Sequence, residues 1–123
     1  GHQQGDIVLR RVARVLADNS REVDFPARYG GEELALILPH TDMGGSFAIA
    51  ERIRTAIESL RITRVDQDGV LRVTASLGVA ASTDGGKQEL IAEADAALYE
   101  AKRQGKNRTI RAAVASATVP GGG

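Results

Sequence analysis

The residues best suited to chemistry in this 123-residue chain lie in one short stretch, Arg28 to Leu34, which reads RYGGEEL. Two adjacent glycines, Gly30 and Gly31, precede two adjacent carboxylates, Glu32 and Glu33. Glycines let the backbone approach a bulky anionic ligand. Carboxylates beside that opening can hold a divalent cation, which in turn holds phosphates. The stretch predicts a nucleotide–metal site, and the alternative is a Gly-Gly hairpin turn that carries solvated acids.

The composition limits the classes of protein to which this chain can belong. Its length fits one compact domain, and a hydrophobic content of 42% can form one core. The 16 basic and 16 acidic residues cancel, and aromatic residues make up 3%, so nothing favours nucleic-acid or membrane binding. Cysteine is absent, which excludes disulfides and thiolate metal sites. With no signal peptide and no long apolar run, we expect a cytoplasmic location, any membrane attachment being left to other regions of a longer protein.

Hydrophobic periodicity predicts three helices that alternate with short strands. The helices are predicted at Ile7–Ala17, Ser46–Leu60 and Gln88–Gln104. The second helix is predicted to face inward with an apolar stripe of Phe47, Ala50, Ile53, Ile57 and Leu60. The strands are predicted at Phe25–Tyr29, Leu34–Leu38, Ile62–Val65, Leu71–Val79 and Arg108–Ala112. This order predicts an α/β (α+β) fold in which helices flank an antiparallel or mixed sheet.

Three local features refine this prediction. The second strand is apolar throughout, which predicts burial on both of its faces. Asp6 stands where the N-cap of the first helix belongs, and Gly105 where a C-terminal cap of the third helix belongs. Residues 1–112 are predicted to form the domain, and the small, Gly-rich residues 113–123 a flexible tail.

Several segments in chain order resemble the motifs of the GGDEF family, the diguanylate cyclases. The turn is a GGEEF-like spelling of the family signature, with Leu34 in place of phenylalanine. The other matching segments are GHQQGD at 1–6, REVD at 21–24, VTASLGVA at 73–80 and ADAALYEAKRQGKN at 94–107. The resemblance implies the palm-like nucleotide-cyclase fold with a mostly antiparallel central sheet. It also implies condensation of two GTP into cyclic di-GMP by a homodimer in which each domain holds one GTP.

The resemblance assigns catalytic roles to the turn. Glu32 is implied as a ligand of Mg²⁺ or Mn²⁺, because hard cations prefer carboxylate oxygens. Glu33 is implied to order a metal-bound water or to assist removal of the 3′-hydroxyl proton. Gly31 would let the backbone approach the nucleotide.

Three residues outside the turn are also implied to bind substrate. Asp6 would accept hydrogen bonds from N1–H and N2–H of guanine, a role that competes with capping of the first helix. Lys102 and Lys106 would reach the β- and γ-phosphates. Basic residues near a helix C-terminus are, however, favourable without any ligand.

A product-inhibition site is implied by the family's RxxD motif, which Arg21 and Asp24 match. Arg21 can grip a phosphate or a guanine, and Asp24 can accept from the guanine edge. Arg52 occupies the position of a second arginine that the family often adds from the following helix. The alternative is a solvated loop with an incidental ion pair.

One part of the family pattern is not found in this sequence. In the family, a strand and helix with a DxDxFKxxND pattern precede the GHxxGD segment and supply a further carboxylate for the ion. We therefore expect a GGDEF domain truncated at its N-terminus, with weak metal binding, an open sheet edge and no useful cyclase activity. The alternatives are a non-catalytic module that binds cyclic di-GMP and a fragment that binds neither nucleotide.

Overall fold

Three helices and six short strands occur in residues 2–81 and 87–112, which a computed structural model describes. In chain order they are α1 His2–Asp18, β1 Phe25–Gly30, β2 Glu33–Ile37, α2 Met43–Glu58, β3 Ile62–Thr63, β4 Val70–Leu71, β5 Leu77–Val79, α3 Lys87–Arg103 and β6 Thr109–Arg111. The predicted helices and the α+β class are confirmed. The predicted tail lies outside the described residues. None of the helices in these two ranges is long and apolar enough to cross a membrane.

The strands pair into three separate two-stranded sheets. Strands β1 and β2 are antiparallel, β3 and β4 are antiparallel, and β5 and β6 are parallel. Within the described ranges, the expectation of one central sheet is therefore not met. The strand predicted at Leu71–Val79 divides into β4 and β5, because no strand in the described ranges pairs with residues 72–76.

The core lies where α1 packs against α2. Val15 and Leu16 on α1 are buried against Ile53 and Ile57 on α2. Ile57 keeps 1% of its surface exposed. Full burial of one such aliphatic side chain contributes about 1.5–3 kcal/mol, so this contact is a main source of stability. The predicted inward stripe of the second helix is confirmed at these positions.

The parallel β5–β6 sheet lies between α2 and α3 and contacts both helices. Ala97 and Ala101, on the face of α3 toward this sheet, are buried. A Cβ atom at Gly78 of β5 would overlap the carbonyl oxygen of Ala94 and the amide nitrogen of Leu98. The small residues on both sides therefore allow α3 to lie directly against the sheet.

Helix α1 begins before the predicted Ile7, and the prediction that Asp6 is its N-cap is wrong. Asp6 lies inside the helix. The side chain of Gln4 anchors the extra turn: its Nε2 donates to the Thr63 carbonyl at 3.2 Å, and its Oε1 accepts from the Val65 amide at 3.0 Å. These contacts with the chain around β3 are non-local, so the local capping signal could not reveal them.

Only one face of the β1–β2 hairpin meets the core. Leu34 and Leu36 pack against the α1–α2 cluster. Phe25, Tyr29 and Ile37 remain 61%, 53% and 50% exposed. The prediction that the second strand is buried on both faces is therefore wrong, because no described element covers its outer face.

Candidate functional site

The tip of the β1–β2 hairpin carries the adjacent glycines and carboxylates. The strand register shifts between Arg28 and Gly30, so the chain bulges before it turns. Gly31 has a φ of +45°, a left-handed conformation that glycine adopts without a steric penalty. Arg28 donates from Nε and Nη2 to the Gly31 carbonyl at 3.2 and 2.9 Å. The Arg28 side chain thus closes the turn and fixes the backbone that precedes the carboxylates.

Lys102 lies beside this turn, although it belongs to the last turn of α3. An open cavity of about 510 Å³ lies between the two elements. It is lined by Tyr29, Gly30, Gly31, Glu32, Glu33 and Lys102. The two carboxylates and the lysine are exposed. The cavity therefore offers negative oxygens for a cation and an ammonium group for an anion, the combination that a metal-bound phosphate needs.

The packing of α3 determines where Lys102 lies. The preceding residue, Ala101, has 0% of its surface exposed. Because the backbone of α3 rests on β5 at Gly78, the strand cannot carry a larger residue there unless the helix moves away. The position of the ammonium group at the cavity is thus set by a helix–sheet contact made earlier in the chain.

Glu32 and Glu33 have the oxygen ligands that Mg²⁺ and Mn²⁺ prefer. Across residues 2–81 and 87–112, no group of three or more His, Cys, Asp or Glu side chains is arranged to hold a metal ion. The donor set at the turn fits an ion that keeps several waters and takes further oxygens from bound phosphates.

Asp6 and Lys106 are not among the described residues that line the cavity. Asp6 is exposed on α1. Lys106 follows α3 with a φ of +65°, unusual for a residue with a side chain. Gly105, at φ +124°, precedes it as the predicted C-terminal cap. The structure therefore groups the turn with Lys102 and leaves the other two predicted substrate ligands outside this cavity.

Arg21 and Asp24 form a tight ion pair at the connection between α1 and β1. The Asp24 carboxylate has 0% side-chain exposure, and Arg21 is 48% exposed. Arg21 Nη2 donates to Asp24 Oδ1 at 2.8 Å, and the Arg21 amide donates to Oδ2 at 2.7 Å. Hydrogen bonds from Arg21 hold the pKa of Asp24 below its usual range. A guanine could reach this carboxylate only after the pair opens.

The same arginine joins two connections of the fold. Arg21 Nη2 also donates to the Pro39 carbonyl at 3.1 Å and to Thr41 Oγ1 at 2.7 Å. Arg52 on α2 donates from Nε to Asn19 Oδ1 at 2.7 Å. Of the two predicted inhibitory arginines, Arg21 therefore lies in the connection that follows α1, and Arg52 is hydrogen-bonded to it.

Sequence reasoning missed three residues that shape the site and its supports. Arg28 closes the turn through a local contact that no motif identified. Asp42 caps α2 by accepting from the Gly45 amide at 2.8 Å, and an aspartate before a helix is a signal that could have been found. Arg54 bonds Asn107 at 3.0 Å across a separation of 53 residues, for which the local pattern holds no signal.

Comparison with known proteins identifies the family of this chain. The family model described as "Diguanylate cyclase, GGDEF domain" matches residues 1–108. Response regulator PleD of Caulobacter vibrioides is 41% identical over 112 residues, which cover 89% of this chain and 25% of that protein. Diguanylate cyclase A of Treponema denticola is 40% identical over 111 residues, which cover 88% of this chain and 29% of that protein. The chain thus spans between a quarter and a third of these curated relatives.

Solved structures show the same fold. The coiled coil and GGDEF domain of DgcB from Caulobacter crescentus, in complex with c-di-GMP, superposes with a TM-score of 0.84 at 35% identity, covering 91% of this chain and 60% of that one. Diguanylate cyclase SiaD from Pseudomonas aeruginosa, in complex with its activator SiaC, superposes with a TM-score of 0.82 at 38% identity, covering 91% and 43%. Because the family model matches residues 1–108, this chain belongs to the GGDEF-domain family of diguanylate cyclases.

Proposed function

We propose that this chain is the GTP-binding region of a domain that condenses two GTP into cyclic di-GMP. The observation that carries the proposal is the cavity in which Lys102 lies beside Gly31, Glu32 and Glu33. An ammonium group and two carboxylates around an open backbone turn suit a triphosphate that carries a divalent cation. The names of the relatives support cyclisation of GTP as the reaction.

Glu32 is proposed as the ligand of Mg²⁺ or Mn²⁺, and Glu33 as the group that accepts the 3′-hydroxyl proton or orders a water beside it. The ion, when bound, offsets negative charge on the phosphate oxygens. Lys102 contributes a second positive charge at the cavity, and Lys106, in the loop after α3, is proposed to reach the phosphates from outside the residues that line it. Gly31 lets the backbone lie close to the phosphates, since no Cβ projects from it.

Asp6 is proposed as the guanine ligand. Its carboxylate is exposed on α1, and capping of that helix does not compete for its oxygens because the helix begins earlier. A carboxylate can accept from N1–H and N2–H of guanine, which adenine does not present. If Asp6 makes this contact, we expect Asp6→Asn to reduce the preference for GTP over ATP.

A product-inhibition site is proposed at Arg21 and Arg52. The exposed guanidinium of Arg21 can bind a phosphate or a guanine of cyclic di-GMP, and the buried Asp24 holds that guanidinium in place. The c-di-GMP bound in the crystal structure of DgcB makes this ligand a suitable one to test. These arginines also favour the second candidate function, a module that binds cyclic di-GMP without catalysis.

The 123 residues by themselves are proposed to lack useful cyclase activity. The carboxylates of the turn have no further acidic partner among the described residues, so the ion is held weakly without phosphates. Two copies, each with one GTP, must also meet for the reaction. Robust formation of cyclic di-GMP from GTP and Mg²⁺ by this chain would contradict the proposal.

Calorimetric titration with GTP and Mg²⁺ tests the substrate site. We expect Glu32→Gln to reduce the metal dependence of binding and Lys102→Met to weaken binding by about tenfold, the effect of losing one charge-assisted hydrogen bond. Glu22→Gln removes an exposed carboxylate elsewhere, and Arg103→Met a cation next to Lys102 in sequence but outside the cavity. Equal losses in the controls and the test variants would refute the site.

Titrations with cyclic di-GMP and with GTP, taken together, separate the two candidate functions. Under both, binding survives Glu32→Gln and decreases in Arg52→Met, which leaves the Arg21–Asp24 pair intact. Metal-dependent GTP binding that is sensitive to Glu32→Gln supports the cyclase site. Product binding without any GTP binding supports the non-catalytic module instead.

A further inference from the structure

The segment after α3 has an unusual backbone. Gly105, Lys106 and Asn107 have φ values of +124°, +65° and +47° in succession. Glycine enters this left-handed region without penalty, and asparagine tolerates it better than most residues do. Lysine has no such advantage, so surrounding contacts must hold Lys106 in place.

A polar network from α2 supplies those contacts. Arg54 Nη1 donates to Asn107 Oδ1 at 3.0 Å, and Asn107 Nδ2 donates to Glu58 Oε2 at 2.8 Å. Glu51 holds Arg54 in turn, accepting from its Nε at 2.8 Å and its Nη2 at 3.0 Å. The Arg54 side chain is only 17% exposed, so water competes little for the bonds that Arg54 donates, whereas Glu58 is 48% exposed.

The network engages all three guanidinium nitrogens of Arg54 and both polar atoms of the Asn107 side chain. Arg54 uses three different nitrogens on two partners, and the pKa of Glu51 is lowered by its hydrogen bonds from Arg54. The Asn107 amide uses its oxygen toward Arg54 and its nitrogen toward Glu58. This division fixes the orientation of the amide, and with it the backbone of Asn107.

Hydrogen bonds hold both the amide and the carbonyl group of Lys106. Its amide donates to the Ala101 carbonyl at 2.9 Å, and its carbonyl accepts from Arg108 Nε at 3.0 Å. Asn107 follows directly and is held by the network from α2. The side chain of Lys106 therefore leaves the loop in one direction, set by contacts outside its own segment.

We propose that Arg54 and Asn107 are positioning residues, which hold the loop after α3 in its left-handed conformation and so direct the Lys106 ammonium to the phosphates of the nucleotide. The inference rests on the proposed function, because it takes Lys106 as a phosphate ligand. Neither Arg54 nor Asn107 touches the substrate in this proposal. Their effect passes through the backbone of Lys106.

Amide hydrogen exchange tests the conformational part without any ligand. In Asn107→Ala and in Arg54→Met, the Lys106 amide is expected to exchange at least about tenfold faster, since each variant removes at least one hydrogen bond that involves a charged group. Amides in the buried part of α2, such as that of Ile57, should keep their rates. Equal acceleration throughout the chain, or none at Lys106, would overturn the proposal.

Arg103→Met is the matched control for Arg54→Met. Arg103 also pairs with a glutamate one turn away, at 2.7 Å, but it is 61% exposed. It lies nearer to Lys106 in sequence than Arg54 does. The exchange rate at Lys106 should remain unchanged in this variant, and acceleration equal to that in Arg54→Met would overturn the proposal.

Titration with GTP and Mg²⁺ tests the link to the nucleotide. Lys106→Ala, Asn107→Ala and Arg54→Met should each weaken binding by about fivefold, within the range for one hydrogen bond. Asn107→Gly accepts the left-handed backbone yet removes both side-chain bonds, and thus remains informative if the alanine variant does not fold. Loss of affinity in Lys106→Ala with none in Asn107→Gly and Arg54→Met would overturn the inference and leave the proposed function intact. If neither Lys106→Ala nor Lys102→Met alters binding, the proposed function fails, and hydrogen exchange alone decides whether the network positions the loop.

Discussion

Replacing Gly78 with alanine tests the contact that positions α3 and therefore Lys102. A Cβ atom at this position would overlap the Ala94 oxygen and the Leu98 nitrogen, and would lie 3.0 Å from the Ala97 carbonyl carbon. All three are backbone atoms of one helix, so no side chain can rotate out of the way. The helix itself must withdraw from β5.

The expected loss of stability has two sources. Overpacking of this kind costs about 1–3 kcal/mol. Withdrawal of α3 also exposes part of Ala97 and Ala101, which are now 4% and 0% exposed. We expect a total of about 3 kcal/mol, which for a domain of this size lowers Tm by roughly 10 °C.

Gly5→Ala provides a matched control, because it makes the same chemical change in a different environment. Gly5 lies within α1, and a Cβ atom added there would have no heavy atom of a neighbouring element within 4 Å. Alanine is favoured over glycine inside a helix by about 0.5–1 kcal/mol, so this variant should be slightly more stable than the parent. Urea unfolding followed by far-ultraviolet circular dichroism measures the free energy of unfolding of both variants. A Gly78→Ala variant that unfolds at the parent's urea concentration would refute the packing argument.

Three further perturbations have expected outcomes. The lowered pKa of Asp24 means that its pairing with Arg21 stabilises the fold above the usual carboxyl range near pH 4, and that this contribution is lost as pH falls through the lowered value. Urea midpoints at about pH 7 and pH 3 should therefore lie closer together in Asp24→Asn than in the parent, and an unchanged separation would contradict this reasoning. Asp42→Ala removes the acceptor for the Gly45 amide and should cost about 1 kcal/mol in urea unfolding, whereas a neutral result would mean that the cap contributes nothing. Ile57→Ala should cost about 2–5 kcal/mol by the same measurement, since a buried side chain leaves a cavity, and a loss under about 1 kcal/mol would show that the core collapses to fill it.

The elements that depend on local pattern could be predicted from the sequence. The apolar stripe through Ile53 and Ile57 identified the inward face of α2, and the Gly30–Gly31 pair identified the hairpin tip. Gly105 was correctly predicted as a helix cap, because a left-handed residue after a helix is most often glycine. These features rest on contacts between residues close in the chain, which periodicity and turn chemistry report directly.

The extent of each element was less predictable. Helix α1 begins early because Gln4 bonds the chain around β3. The stretch through Val73 and Ala75 forms no strand, because no strand among the described residues pairs with it. The exposure of Ile37 likewise depends on what covers the hairpin's outer face. Propensity indicates what a segment can become, and its neighbours decide whether its hydrogen bonds and apolar face are satisfied.

The sequence by itself determined which residues could do chemistry: the glycines and carboxylates of the turn, the basic residues at the end of α3, and the Arg21–Asp24 spacing. Only the tertiary structure decided that Lys102 stands at the turn, that Asp24 is buried against Arg21, and that Arg54 reaches Asn107. The physical reason is that residue types follow from the chain, whereas distances between residues far apart in sequence follow from packing. In this chain that packing depends on the close approach of α3 to β5, which is possible because glycine at position 78 has no side chain.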